Sequence, residues 1–367
     1  MPPNIFNIPF LSAYFGQRRA IGGCLALLCI TLLCLGACRR DERVADSSQP
    51  TAVRSGAVKI TTRQTGIIRI TASDLREAGI SIEEIDPDQV KLTWRNRDLP
   101  LWVRGQAEGM ELLFFASLVD SLYTQENIYM LIWGEGQGKT IEVEPITPLE
   151  GPAETTYTAK VRLEENRQYA PQVDQGEHWL WQSLPAPQEA AFSFRLQDVQ
   201  SGSAKLIVEL WASTEAPLSP DHHVQLQVNG HVVLDEFWDG QGRHRLEASL
   251  PTSFLIEGEN TVLIRAVGDT EAPADIVVID WIEVMYPRAL IAVGGSLEFD
   301  GSGRPQQLKG WGADIMVFDI SDPGQVKRVG ESWQAQNGIL LFSGKQNHRY
   351  LAVEAKALLK PTRIQRS

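Results

Sequence analysis

The chain has 367 residues, with 34 Lys and Arg against 46 Asp and Glu and a formal net charge of -12. Such an acidic balance argues against a nucleic-acid partner, whose phosphates it repels. All four cysteines (Cys24, Cys29, Cys34, Cys38) lie within the first 38 residues, so residues 39–367 carry no disulfide and depend on buried apolar surface. The length implies two or three domains.

A polar stretch ending in Arg18 and Arg19 is followed by an uncharged run from Ala20 to Ala37, the layout of an export signal. The run closes on Leu35-Gly36-Ala37-Cys38, which resembles the bacterial lipobox. There, small residues precede a cysteine that receives a diacylglyceryl group and becomes the new N-terminus. The resemblance implies cleavage between Ala37 and Cys38, lipidation at Cys38 and membrane lipid as a partner. It also implies an extracytoplasmic location, at the bacterial cell surface or the periplasmic face. An uncleaved membrane helix is the other reading of the same run, and it too leaves the remainder outside the cytoplasm. Residues 38–56 are polar and read as a flexible tether.

Residues 57–146 read as a small β-rich domain. Residues 74–78 make a brief helix with Ser73 as N-cap and Gly79 at its end. Strands are expected at 90–94, 99–103, 111–116 and 127–133, separated by Asn, Asp, Gly and Pro. Beyond a Pro/Gly/Glu stretch, strand signals recur at 191–196, 206–210, 224–228, 231–234, 243–250, 260–266 and 276–285. Asn229-Gly230 between two alternating apolar runs is a strong hairpin signal. The fold class is therefore mainly β, with a jelly-roll β-sandwich at 156–288. Residues 289–367 add a short strand-rich segment, including 313–319 and 339–343.

Gly134-Glu-Gly-Gln-Gly-Lys-Thr140 looks like a phosphate loop but lacks the required earlier glycine, since Trp133 holds that place. No helix follows it either, and it reads as a hairpin turn. Of His178, His222, His223, His231, His244 and His348, none forms a metal pair at helical spacing. The adjacent His222 and His223 point apart in a strand or loop, so no metal site is expected. Asp300-Gly-Ser-Gly303 lacks the alternating acids of a calcium loop. No cofactor is called for, although a structural calcium ion held by scattered oxygens of the sandwich stays open. For a hydrolase, there is no Gly-x-Ser-x-Gly elbow, no cysteine nucleophile after Cys38, and no acid pair that stands out. Of ten tryptophans, Trp179, Trp181, Trp211, Trp238 and Trp281 fall in the sandwich. Trp211, Trp238 and Trp281 are the candidates for carbohydrate contact, against the alternative that indoles fill the core and seal domain joints.

An ordered set of phrases spans about residues 58–362. They are Thr65-Gly-Ile-Ile-Arg-Ile-Thr-Ala-Ser-Asp-Leu75, Tyr123-Thr-Gln-Glu-Asn-Ile-Tyr-Met-Leu131 and Leu255-Ile-Glu-Gly-Glu-Asn-Thr261, then Ile279-Asp-Trp-Ile-Glu-Val284, Val317-Phe-Asp-Ile-Ser-Asp-Pro323 and Arg349-Tyr-Leu-Ala-Val353. Together they resemble the non-catalytic front of gingipain-like cysteine peptidases. That resemblance implies a propeptide-like β domain, a jelly roll and a strand-rich lead-in to a caspase-like catalytic domain. Complete members of the family are cysteine endopeptidases. No catalytic residue carries over, because no cysteine follows Cys38, and the chain reads as an N-terminal portion, truncated or split from its catalytic domain. The expected role is accessory: folding, shielding or presenting substrates to a peptidase domain or chain. An accessory module should expose an apolar docking patch near 313–319 and 349–353. The competing reading is a stand-alone surface module whose jelly roll binds glycan or protein, marked by a row of exposed tryptophans.

Overall fold

A computed structural model describes residues 55–118, 124–145, 150–173, 178–330 and 335–367. The export signal, Cys38 and nearly all of the tether lie outside the described residues.

The front segment runs β1 (Gly56–Thr62), β2 (Gly66–Thr71), α1 (Ala72–Glu77), β3 (Val90–Trp94), β4 (Arg97–Leu99), β5 (Trp102–Arg104), β6 (Glu111–Ala116), β7 (Asn127–Trp133) and β8 (Val143–Glu144). Helix α1 is capped by Thr71, not by Ser73. The Thr71 hydroxyl accepts from the Asp74 amide at 3.2 Å, and the Asp74 carboxylate accepts from the Thr71 amide at 2.8 Å. This reciprocal box needs an acid three residues after the cap; Ser73 would have Arg76 there. The strand expected at 99–103 breaks in two because Pro100 has no N–H to give a ladder. β4 and β5 consequently join different sheets. The Gly-Lys-Thr loop is not a hairpin turn. Its Gly138 amide donates to the Val90 carbonyl, the Lys139 carbonyl accepts from Leu101, and β8 leaves to pair in parallel with a distant strand.

The sandwich comprises β9 (Thr156–Glu164), β10 (Gln168–Tyr169), β11 (Trp179–Leu180), β12 (Gln182–Pro185), β13 (Glu189–Leu196), β14 (Ser203–Ala212), β15 (His222–Val228), β16 (His231–Trp238), β17 (Gly242–Pro251), β18 (Gly258–Ala266) and β19 (Ile276–Ala289). One sheet is ordered β12-β19-β14-β17 with β9 also on β19; the other is β13-β18-β15-β16. Strict alternation in β13 sends Ala190, Phe192, Phe194 and Leu196 inward, as expected of a strand wet on one face. They meet Leu206, Val208, Leu210 and Ile282 of the facing sheet in one core. Asn229 (φ 48°) and Gly230 (φ 83°) form the tight turn between β15 and β16, with Val228 opposite His231. Both positions need positive φ, which Asn and Gly tolerate.

The last segment adds β20 (Ser296–Asp300), β21 (Pro305–Lys309), β22 (Ile315–Asp319), β23 (Lys327–Val329), β24 (Ala335–Gln336), β25 (Ile339–Ser343), β26 (Arg349–Glu354) and β27 (Arg363–Arg366). It is not closed on itself: β27 pairs with β1, and β8 pairs with β23. Front and last segments build one stack of four sheets, β27-β1-β7-β3-β4, β2-β6-β5, β20-β26-β22-β23-β8 and β21-β25-β24. Three apolar layers join them. Ile60 and Tyr129 pack on Ile70 and Phe114; Ile67, Leu113 and Phe115 pack on Phe318 and Leu351; Phe299 and Ala352 pack on Leu308 and Phe342. The two inner sheets are thus covered on both faces, which is why Leu112-Leu113-Phe114-Phe115 is continuously apolar. The exposed docking patch expected at 313–319 and 349–353 does not form, since Phe318, Leu351 and Val353 are 0%, 6% and 3% exposed beneath the front segment. Among the described residues no helix is long and apolar enough to cross a membrane.

Candidate functional site

A dense group of titratable side chains sits where β15 begins. His222 faces the core end and His223 the outer surface, so the two rings do point apart, yet each is clamped. His222 Nδ1 lies 2.6 Å from Asp275 Oδ1, and its Nε2 lies 3.0 Å from the Thr214 carbonyl. His223 Nδ1 is 2.6 Å from Asp269 and its Nε2 is 2.5 Å from Asp235. Carboxylates and carbonyls only accept, so both nitrogens of each ring donate and both rings are imidazolium cations. Neither ring keeps a free nitrogen with which to act as a general base. Asp221, 1% exposed, accepts from the Ala216 and Gly240 amides at 2.8 and 2.9 Å and so holds two loops beside the cluster. Among the described residues no three His, Cys, Asp or Glu side chains converge as a metal centre requires.

Burial disfavours charge on His223, but the bonds to Asp235 and Asp269 outweigh it and raise its pKa. The same balance at His222 is tipped upward by Asp275 and the Thr214 carbonyl. A raised folded pKa stabilises fully below the unfolded value of about 6.5 and is lost as pH rises through the folded one. Asp235, held low by the His223 bond, contributes above about pH 4 and loses that contribution as pH falls through its folded pKa. Its side chain is 52% exposed, so solvent screens that share. Stability from this cluster should therefore be greatest between about pH 4 and 6.5 and decline above. Urea midpoints measured from about pH 4 upward through and well beyond 6.5 should show the decline above that value, and His223→Gln should flatten it.

The three candidate tryptophans are not brought together. Trp211, 5% exposed, lies with Val278 under Ala170, Val173 and Leu180 of the β9–β12 connection. Trp238 is stacked on His222 at 5.0 Å and on His244 at 4.1 Å. Trp281 lies on the outer face of its sheet, with the Arg162 and Arg245 guanidinium carbons 4.1 and 5.5 Å from its ring centre. Trp181 is 8% exposed in the core and stacks obliquely on Phe192. Exposed aromatics that sequence reasoning missed are Tyr169, 59% exposed beside Trp179 at 5.4 Å, and Phe237, 50% exposed with its ring on His223 at 3.6 Å. Asp235, Asp269 and Asp275 were missed as well.

No protein-family model matches the chain, and no curated protein matches it. Among solved structures the chain is similar to dimeric latent PorU from Porphyromonas gingivalis, with a TM-score of 0.65 and 17% identity over 84% of this chain and 33% of that one. The two share a fold. The chain spans about a third of the length of that protein. Carbohydrate-binding modules match a smaller share of the chain much more weakly. The CBM36-1 domain of a multidomain xylanase from the hindgut metagenome of Trinervitermes trinervoides has a TM-score of 0.24 and 12% identity, over 35% of this chain and 95% of that one. A family 35 module from Clostridium thermocellum has a TM-score of 0.21 and 18% identity, over 35% and 91%. At such scores they carry no argument about a ligand.

Proposed function

We propose that this chain is the lipid-anchored, extracytoplasmic, non-catalytic portion of a gingipain-like cysteine peptidase system, which folds, shields or presents substrate to a catalytic domain. The observation that supports it is the fold common to 84% of the chain and a third of latent PorU, in a sequence with no cysteine after Cys38. The commitment of both His222 and His223 nitrogens to acceptors fits a structural cluster better than a catalytic one. A stand-alone glycan-binding role has less support, because Trp211 is buried and Trp238 and Trp281 already have partners for their rings.

Co-expression with the gingipain-like catalytic domain encoded nearest to this gene should give a complex that co-elutes in size exclusion and a higher yield of folded peptidase. Two independently eluting proteins and an unchanged yield would defeat the accessory role. For the anchor, labelled palmitate should enter the wild-type chain and leave it membrane-bound, whereas Cys38→Ala should be unlabelled. Label retained in that variant would remove Cys38 from the proposal.

A further inference from the structure

β9 and β20 are edge strands: among the described residues β9 pairs only with β19, and β20 pairs with β26 and, at its first residue Ser296 alone, with Val293. Between them lies a cleft of about 600 Å³ lined by consecutive residues 157–161 of β9 and 298–300 of β20. Successive strand side chains point to opposite faces. Uninterrupted runs of lining residues therefore mean that the strand edges themselves, with their N–H and C=O groups, border the space. The buried Tyr286 and Phe299, 3% and 2% exposed, also line it.

Four cations, Lys160, Arg195, Arg288 and Arg349, face two carboxylates, Glu298 and Asp300, around this cleft, in a chain whose net charge is -12. Arg288 is fixed, with Nη2 3.2 Å from Asp198 and 3.3 Å from Gln197, and Nη1 3.4 Å from the Tyr157 hydroxyl. Arg349 meets Glu298 at 3.4 Å, but their side chains are 59% and 45% exposed, so water can replace that pairing at small cost. Lys160 and Arg195 are exposed and have no ion-pair partner among the described residues.

An open edge ladder is completed by another backbone, and a local excess of cations selects carboxylate side chains. We propose that the cleft between β9 and β20 binds an extended acidic peptide segment of another protein by strand addition. The five cleft-lining residues of β9, 157–161, offer roughly 17 Å of edge at ~3.3 Å per residue, room for about as many residues of the guest. Lys160 and Arg195 contact its acids, while Arg288, paired with Asp198, is held in place beneath. This goes beyond the accessory reading and stands on the cleft alone, so the chain can fail to bind a peptidase domain and still bind such a peptide.

Fluorescence polarisation of the full chain with a labelled peptide of about eight residues, alternating Glu and Thr, tests it. The acidic peptide should bind and its Lys-Thr counterpart should not. The double variant Lys160→Glu, Arg195→Glu should weaken binding by at least about tenfold without moving the unfolding midpoint, since both residues are exposed. N-methylation of alternate guest amides, which removes ladder donors but no charge, should abolish binding in at least one of the two phases of substitution. Equal binding of the basic peptide, an unchanged double variant, or indifference to N-methylation in both phases would overturn the proposal. So would an acidic polysaccharide that binds this cleft more tightly than the peptide.

Discussion

Replacing Asp275 by alanine is expected to destabilise the protein by about 3–5 kcal/mol, the usual cost of stranding one partner of a buried ion pair. His222 is 0% exposed and Asp275 is 6% exposed. The Thr214 carbonyl fixes a proton on Nε2 and Asp275 fixes the other on Nδ1, so the ring is a cation whose counter-charge sits 2.6 Å away. Alanine would leave that cation facing only Asp221, at 3.7 Å. Either the charge stays and is poorly compensated, or the ring gives up a proton and one nitrogen loses its bond. Asp275→Asn keeps an acceptor and loses the charge, so it should fall between wild type and alanine. Asp275 also accepts from the His223 amide at 3.4 Å, and its own carbonyl accepts from Ala186. The loop before β19 should therefore loosen together with the start of β15. Urea unfolding measures the loss; a value under about 1 kcal/mol would mean that His222 is neutral in the wild type.

That cluster could not be read from the sequence, and the reason is distance along the chain. Asp275, Asp269 and Asp235 lie 53, 46 and 12 residues from the histidines they clamp, separations at which no periodic pattern operates. Local features were legible. The Asn229-Gly230 turn is specified by two residues whose backbone tolerates positive φ, and the strands at 111–116, 127–133 and 339–343 stand where their apolar runs place them. The capping box is also present in the sequence, as Thr71 with Asp74 three residues on, beside a Ser73 that has Arg76 at the matching place. Trp211 is covered by the β9–β12 connection, whose course no strand pattern announces. The apolar run at 313–319, expected as a strand exposing a docking patch, fits equally a strand buried on both faces, which is what β22 is. Choosing between them requires knowing that β2 and β6, from the other end of the chain, lie against it.

Phe318→Ala tests that choice directly, with an expected loss of about 3–5 kcal/mol. Phe318 is 0% exposed and packs with Ile67, Leu113, Phe115 and Leu351, at the layer where the front segment meets the last one. The cavity left by the ring cannot collapse easily, because the two sheets that bound it are each held by a second apolar layer on the far side. The damage should spread to both segments, since β27 pairs with β1 and β8 pairs with β23. Limited proteolysis is then expected to open β1–β7 and β20–β26 together while the sandwich, with its separate core, persists longer. Leu341→Ala, at an outer-face side chain of β25 that is 54% exposed, provides the control and should stay within about 0.5 kcal/mol of wild type. A loss of under about 1 kcal/mol for Phe318→Ala would mean that this ring is not packed between the two inner sheets.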